Sequence, residues 1–154
     1  MMDTTKFTHR LTKVLIDIMF YGGIVVCVLL PLPFIRPFLS IWLGQPYPGS
    51  MMRHLVILIS SGICAVYILF QLKAIFKTLI KDNPFVHENV SCLRKCGVAS
   101  LLIAIIFCVR ITFWLTAGTL IIVILCFLLG LFCLTLKDVF KQAIAFKEEN
   151  DWTV

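Results

Sequence analysis

Four long apolar blocks dominate this sequence, each close to the length that a helix needs to cross a bilayer. They cover residues 14–32, 54–72, 97–114 and 119–136. Crossing roughly 30 Å of hydrocarbon takes about 20 apolar residues in an α-helix. A β-barrel would require alternating polarity, whereas residues 120–125 are apolar throughout. The sequence therefore predicts an all-α, polytopic membrane protein with four transmembrane helices.

The composition agrees with a chain that has lipid as its solvent. Hydrophobic residues make up 60% of the 154 positions and charged residues 14%, with a mean hydropathy of +1.01. A soluble domain has about 45–50% apolar and about 25% charged residues. We expect residues 1–154 to form a single four-helix membrane domain.

The beginning of the chain also has features of a signal peptide, because basic residues precede an apolar run. The run is long for a signal peptide, and Pro31 and Pro33 stand where a cleavage site with small residues would be needed. An uncleaved first span is therefore the favoured interpretation.

The distribution of lysine and arginine predicts the orientation. With both termini inside, eleven of the 14 basic residues flank the inner ends of the spans, and Arg36, Arg53 and Arg110 remain outside. Lysine and arginine concentrate on the cytoplasmic side of membrane proteins. We expect a multi-pass protein of the cell membrane with both termini in the cytoplasm.

The helical pattern continues beyond two of the spans, into predicted cytoplasmic segments at 73–96 and 137–154. Lys73, Lys77 and Lys81 recur every four residues and so share one helix face. Asn83 is a suitable N-cap and Pro84 suits a first helical position, which predicts a new helix from Pro84 through Arg94. These extensions either bind anionic lipid headgroups through lysine or dock a protein, and the two hypotheses carry similar weight.

Candidate catalytic or metal-binding residues are few. His87-Glu88 begins like the H-E-x-x-H motif, but Ser91 stands where the second histidine belongs. Cys92 and Cys96 lie one helical turn apart, and no further pair completes a tetrahedral site. The seven cysteines are interpreted as small apolar residues. We expect no metal, no cofactor, no catalytic residue and no enzymatic activity.

Two charged residues fall inside predicted spans. An ionisable group within a span is a functional candidate by default. Asp17 lies near the inner boundary, four residues after Lys13, and we expect these two to pair on one helix face. Arg110 lies near the outer end of the third span, where its side chain can reach the interface.

Three segments of the sequence carry a resemblance to a known family. They are Asn83-Pro84-Phe85 with Glu88-Asn89-Val90 and Leu93-Arg94, then Thr116-Ala117-Gly118-Thr119-Leu120, and the tail from Lys147 to Val154. They resemble the bacterial domain-of-unknown-function 2975 family of membrane proteins. The resemblance implies four spans and a frequent genomic neighbour, a small Xre-type helix-turn-helix regulator. It implies no catalytic residues.

These observations favour a membrane-embedded regulatory or interaction protein that signals to or sequesters that regulator. Two cytoplasmic segments, 83–94 and 148–154, are predicted to form the surface that binds it, without direct contact to nucleic acid. The candidate partner-binding residues are Asn83, Pro84, Phe85, Glu88, Asn89, Arg94, Glu148, Glu149 and Asp151.

Two other classes of function remain as alternatives. The first is a small transporter or channel working as a homo-oligomer, suggested by Asp17, Tyr21 and Arg110 within spans. The second is a membrane immunity or stress-protection protein. The lipid bilayer is an expected partner under every hypothesis.

Overall fold

Four long helices make up the part of the chain that a computed structural model describes, residues 2–32, 37, 41, 48–80, 85–113 and 115–151. These residues are almost entirely helical and contain no strand. The helices are α1 (Met2–Leu29), α2 (Pro48–Leu79), α3 (His87–Ile111) and α4 (Ala117–Asp151).

Each helix contains an apolar stretch long and hydrophobic enough to cross a membrane. The stretches are Arg10–Leu29, Met52–Leu79, His87–Ile111 and Ala117–Asn150. The prediction of an all-α protein with four candidate transmembrane helices is therefore confirmed. The helical extensions past Leu72 and Leu136 are also present, because α2 continues to Leu79 and α4 to Asp151.

The helices pack in the order of the chain, α1 on α2, α2 on α3 and α3 on α4. Among the described residues, α1 and α4 share no extensive contact, so the helices form an open array instead of a closed bundle. The α3 span is 50% buried, against 6%, 17% and 11% for the spans of α1, α2 and α4. The other three helices therefore leave most of their apolar surface for lipid.

Small side chains allow α3 to occupy the central position. Its buried face contains Cys92, Cys96, Gly97, Ala99, Ser100 and Ala104. Residues of this size let helix backbones approach closely, which is how transmembrane helices gain van der Waals contact.

The helices α3 and α4 approach closely at a glycine–glycine crossing. A Cβ atom at Gly97 would lie 3.0 Å from the carbonyl oxygen of Gly130, and one at Gly130 would lie 3.1 Å from that of Gly97. The side chain of Leu134 fills the space beside Gly97, and that of Leu101 the space beside Gly130. Neither glycine can accept a side chain unless the helices separate.

The turn between α3 and α4 is short and hydrogen-bonded. Thr116 precedes the first residue of α4, and its carbonyl oxygen accepts the N–H groups of Thr119 and Leu120 at 3.0 and 3.2 Å. The hydroxyls of Thr116 and Thr119 lie 2.7 Å apart, and Thr119 is almost completely buried. This turn makes α3 and α4 an antiparallel hairpin.

Two helix boundaries near the first loop differ from the ends of the apolar blocks. The first helix ends at Leu29 instead of residue 32, because the chain turns at residues 30–32, where Pro31 has no N–H to continue the helix. The second helix begins at Pro48, six residues before the apolar block that starts at residue 54. Proline suits a first helical turn, whose N–H groups have no intrahelical partner.

The predicted start of the third helix is wrong. Val86 is extended, with φ −129° and ψ 146°, and α3 begins at His87, so the helix does not run from Pro84. The ring of Phe85, just before α3, packs on that of Phe140 of α4, with centroids 5.5 Å apart. Asn83 and Pro84 themselves lie outside the described residues.

Replacing Gly97 by alanine is expected to destabilise the protein by about 1–3 kcal/mol, the usual cost of overpacking. The added methyl group would meet the Gly130 carbonyl oxygen and Leu134. Gly22→Ala is the matched control, because a Cβ there meets no atom within 4 Å. Thermal unfolding in detergent measures both variants, and equal midpoints would contradict the glycine crossing.

Candidate functional site

Polar side chains concentrate at one end of the array, where the first turns of α3 lie between the last turns of α2 and those of α4. They lie at the same end because neighbouring helices are antiparallel. We call residues 73–80, 85–95 and 137–151 the polar end. The described residues within it carry basic, acidic and amide side chains on three helices.

Two contacts join the beginning of α3 to the last turns of α4. His87 Nε2 lies 3.4 Å from Glu148 Oε1, and the rings of Phe85 and Phe140 have centroids 5.5 Å apart. The His87–Glu148 pair is well exposed and adds little stability, whereas an aromatic pair is worth about 0.5–1.5 kcal/mol. The two segments predicted to form one surface are therefore brought together.

A groove of about 350 Å³ lies between α3 and α4 at the polar end. We call it the polar groove, and its lining residues are His87, Val90, Ser91, Arg94, Lys137, Asp138 and Lys141. Asp138 Oδ1 lies 3.0 Å from the Nζ of its neighbour Lys137. Arg94 and Lys141 add two further positive charges, so the polar groove favours an acidic ligand.

Asn89, predicted to bind a partner at the surface, is instead completely buried between α2 and α3, with 0% of its surface exposed. The hydroxyl of Thr78 lies 2.8 Å from Asn89 Oδ1 and 2.7 Å from the carbonyl oxygen of Ile75. Its one proton is therefore shared between two acceptors. Asn89 joins the beginning of α3 to the last turns of α2, and no soluble partner can reach it.

Several of the other predicted partner-binding residues are at the surface, and Asn83 and Pro84 lie outside the described part of the chain. Glu88, Arg94, Glu148 and Glu149 are exposed. Asp151 is the last residue of α4.

Asp17 pairs with a different lysine from the one predicted. Its Oδ1 lies 2.7 Å from Nζ of Lys73 on α2, and it forms no ion pair with Lys13. The ammonium group of Lys73 also lies 5.4 Å from the ring centroid of Phe20 and 5.2 Å from that of Tyr21. The antiparallel packing of α1 on α2 brings these groups together, so the contact is between helices and not along one helix.

Arg110 lies at the opposite end of the array from Asp17. The Arg110 guanidinium is 5.8 Å from the ring centroid of Phe107, and nearby Arg53 lies 5.1 Å from that of Phe113. The second contact joins the beginning of α2 to the end of α3. The two intramembrane charges therefore do not form a pair, in agreement with their predicted positions near the inner and outer boundaries.

The cysteines are not arranged as a metal site with His87. Cys92 and Cys96 are buried in the packed face of α3, whereas the His87 side chain is largely exposed. Cys96 Sγ lies 3.9 Å from the carbonyl oxygen of Ile68, within the α2–α3 contact. Across the described ranges, no three histidine, cysteine or acidic side chains lie together as metal ligands would.

Four apolar helices in an open array define the class of this chain, a multi-pass α-helical membrane protein with a polar end. The sequence profile of the family described as proteins of unknown function, DUF2975, matches residues 31–154. The chain belongs to this family, as the resemblance predicted. No curated protein and no solved structure matches the chain.

Replacing Asn89 by alanine is expected to destabilise the protein by about 1–3 kcal/mol, because it removes a buried hydrogen-bonding group between α2 and α3. Glu88→Ala, at the exposed neighbouring position, is the control and is expected to change stability by less than about 0.5 kcal/mol. Both are compared by thermal unfolding in detergent. An unchanged midpoint for N89A would show that the contact does not hold the helices.

The Asp17–Lys73 pair predicts energetic coupling between the two residues. We expect the loss in free energy of unfolding of D17N/K73Q to be smaller than the sum of the losses of D17N and K73Q. Once one residue of the pair is changed, changing the other breaks no further contact between them. The control cycle uses D17N and K13Q and should be additive. Unfolding in detergent measures both cycles, and coupling to Lys13 alone would restore the pairing expected from sequence.

Proposed function

We propose that this protein is a membrane-embedded interaction protein that docks a soluble regulator on its polar end. The observation that carries the proposal is the junction of two segments distant in sequence. Phe85, just before α3, packs on Phe140 of α4, and His87, the first residue of α3, lies beside Glu148 of α4. They support one continuous, exposed surface beyond the apolar spans.

The polar end belongs on the cytoplasmic side in this proposal, with both termini inside. The support is the excess of lysine and arginine near this end of the spans, since such an excess is typical of the cytoplasmic side. A soluble cytoplasmic partner would then have direct access to the surface.

The length of α4 supports a role beyond anchoring. Its 35 residues extend over about 52 Å, whereas the hydrocarbon core is only about 30 Å thick. The part of α4 after Leu136 carries the polar groove on one side and ends in Glu148, Glu149 and Asp151. A simple membrane anchor has no need of such a charged projection.

Two exposed carboxylates outside the basic polar groove fit a helix-turn-helix regulator, the partner that the family resemblance suggests. Such proteins contact DNA phosphates through a basic face. The carboxylates of Glu88 and Glu148 are exposed beside the α3–α4 junction and complement a basic face. A regulator held there could not bind DNA with the same face, which would amount to sequestration.

The alternative functions gain no comparable support from the described residues. A transporter was suggested by Asp17, Tyr21 and Arg110. Asp17 pairs with Lys73, whose ammonium group also lies over Tyr21, and Arg110 lies at the other end of the array. The Asp17–Lys73 contact joins α1 to α2, whereas the Arg110 guanidinium lies over Phe107 of its own helix. No contact in the described residues favours an immunity protein.

A binding measurement tests the proposal. It uses the full chain in nanodiscs and the helix-turn-helix regulator expected to be encoded beside its gene. We expect E88K/E148K to weaken binding by about tenfold, because each change sets a like charge against the basic face. Asp138→Lys is the control, since it changes an exposed carboxylate of α4 inside the polar groove.

The regulator's operator DNA should compete with the nanodisc-bound chain for the regulator. Binding that is unchanged in E88K/E148K would refute the proposed surface. Equal loss in D138K would also refute it, because net charge and not the α3–α4 junction would then determine binding.

A further inference from the structure

A second groove runs between α2 and α3, on the lipid-facing side of the array. Its volume is about 430 Å³. We call it the apolar groove, and it is lined by Ile63, Cys64 and Tyr67 of α2 and by Ser91, Arg94, Lys95, Val98, Ala99 and Leu102 of α3. We propose that the apolar groove binds one anionic phospholipid, with an acyl chain along the groove and the phosphate at Arg94 and Lys95. The proposed lipid site shares Ser91 and Arg94 with the polar groove, but it lies on the α2 side of α3.

The shape of the groove suits a chain of methylene groups. Ala99 and Cys64 have small side chains, and Ala99 is buried at the base of the groove. Ile63 on α2 and Leu102 on α3 are exposed apolar residues that form its walls. A flexible hydrocarbon chain between these walls would contact carbon atoms on three sides.

The length of the groove suits one leaflet of the bilayer. Its α3 lining extends from Ser91 to Leu102, which is about 16 Å along a helix. Half of the hydrocarbon core is about 15 Å thick. An acyl chain with its headgroup at Ser91 and Arg94 would therefore end near the bilayer centre, as lipid chains do.

The charge at one end of the groove selects the headgroup. Arg94 and Lys95 are both exposed, and Ser91 lies one turn before them. Within the residues that the structure describes, the ion pairs involve other side chains, and no carboxylate lies in ion-pair contact with Arg94 or Lys95. Arginine and lysine between transmembrane helices are the groups that bind anionic lipid headgroups.

An anionic lipid fits these features better than a second copy of the chain. A transmembrane helix is about 10–12 Å in diameter, and over the same length it would occupy more than twice the volume of the groove. The basic end of the groove would also need an acidic counterpart on the partner helix. The spans contain a single carboxylate within their apolar part, Asp17, and it pairs with Lys73.

Native mass spectrometry of the full chain tests the site with two probes of equal chain length, phosphatidylglycerol and phosphatidylcholine. We expect one phosphatidylglycerol to remain bound and phosphatidylcholine to be lost. The variant R94Q/K95Q should bind phosphatidylglycerol about thirtyfold more weakly, since each cation contributes about fivefold to the binding of an anionic headgroup. K137Q/K141Q removes the same charge from α4 and should retain the lipid.

A second pair of variants tests the acyl-chain part of the groove without changing charge. Val98→Trp places a large ring in the groove from an exposed position, whereas Ile105→Trp places it on an exposed part of α3 outside the groove. We expect V98W to lose the lipid and I105W to keep it. Thermal unfolding of each variant without added lipid reports whether it is folded.

Three results would overturn the proposal. The first is equal retention of the two phospholipids by the unmodified chain. The second is full displacement of phosphatidylglycerol by inorganic phosphate, since the groove would then bind an anion and no acyl chain. The third is dissociation of a dimer by V98W, which would assign the groove to a second copy of the chain.

Discussion

Close contact between the backbones of α3 and α4 at Gly97 and Gly130 is the interaction on which the array depends. Lipid tails are as apolar as leucine side chains, so transmembrane helices gain little from the hydrophobic effect when they associate and depend on van der Waals packing. The small residues of α3 allow that packing on two sides, which is why its span is half buried while the others face lipid. The buried Asn89–Thr78 contact adds a directional constraint where α3 meets α2.

Features imposed by the bilayer could be predicted from the sequence, whereas features imposed by neighbouring helices could not. The number of spans and the extensions past Leu72 and Leu136 followed from apolar length and helical spacing, because these are properties of single helices. The start of α3 was predicted too early, since Val86 is extended and the helix begins at His87. Phe85 beside it packs on Phe140 of α4, a contact between distant segments that local sequence preferences do not reveal. The partner of Asp17 was misplaced for a related reason, since the α1–α2 register brings Lys73 to it.

The candidate site was predicted in part, because sequence spacing locates polar segments without showing which face each residue occupies. The beginning of α3 and the end of α4 were expected on one surface, and His87 and Glu148 meet there. Asn89 was expected on the same surface but points between helices, where 0% of it is exposed. The lysine and arginine positions gave no sign that Arg94 lines two grooves, one towards α2 and one towards α4. That arrangement requires α3 to have neighbours on both sides.

The position of the glycine crossing makes it a pivot for changes in the tilt of α4. Gly130 lies about 27 Å along the helix from Glu148. Among the described residues, α4 packs extensively on α3 alone. A change of about 5° in the tilt of α4 at this pivot would therefore displace Glu148 by about 2 Å. Small changes in bilayer thickness, which alter helix tilt, would thus be amplified into movement at the far end of α4.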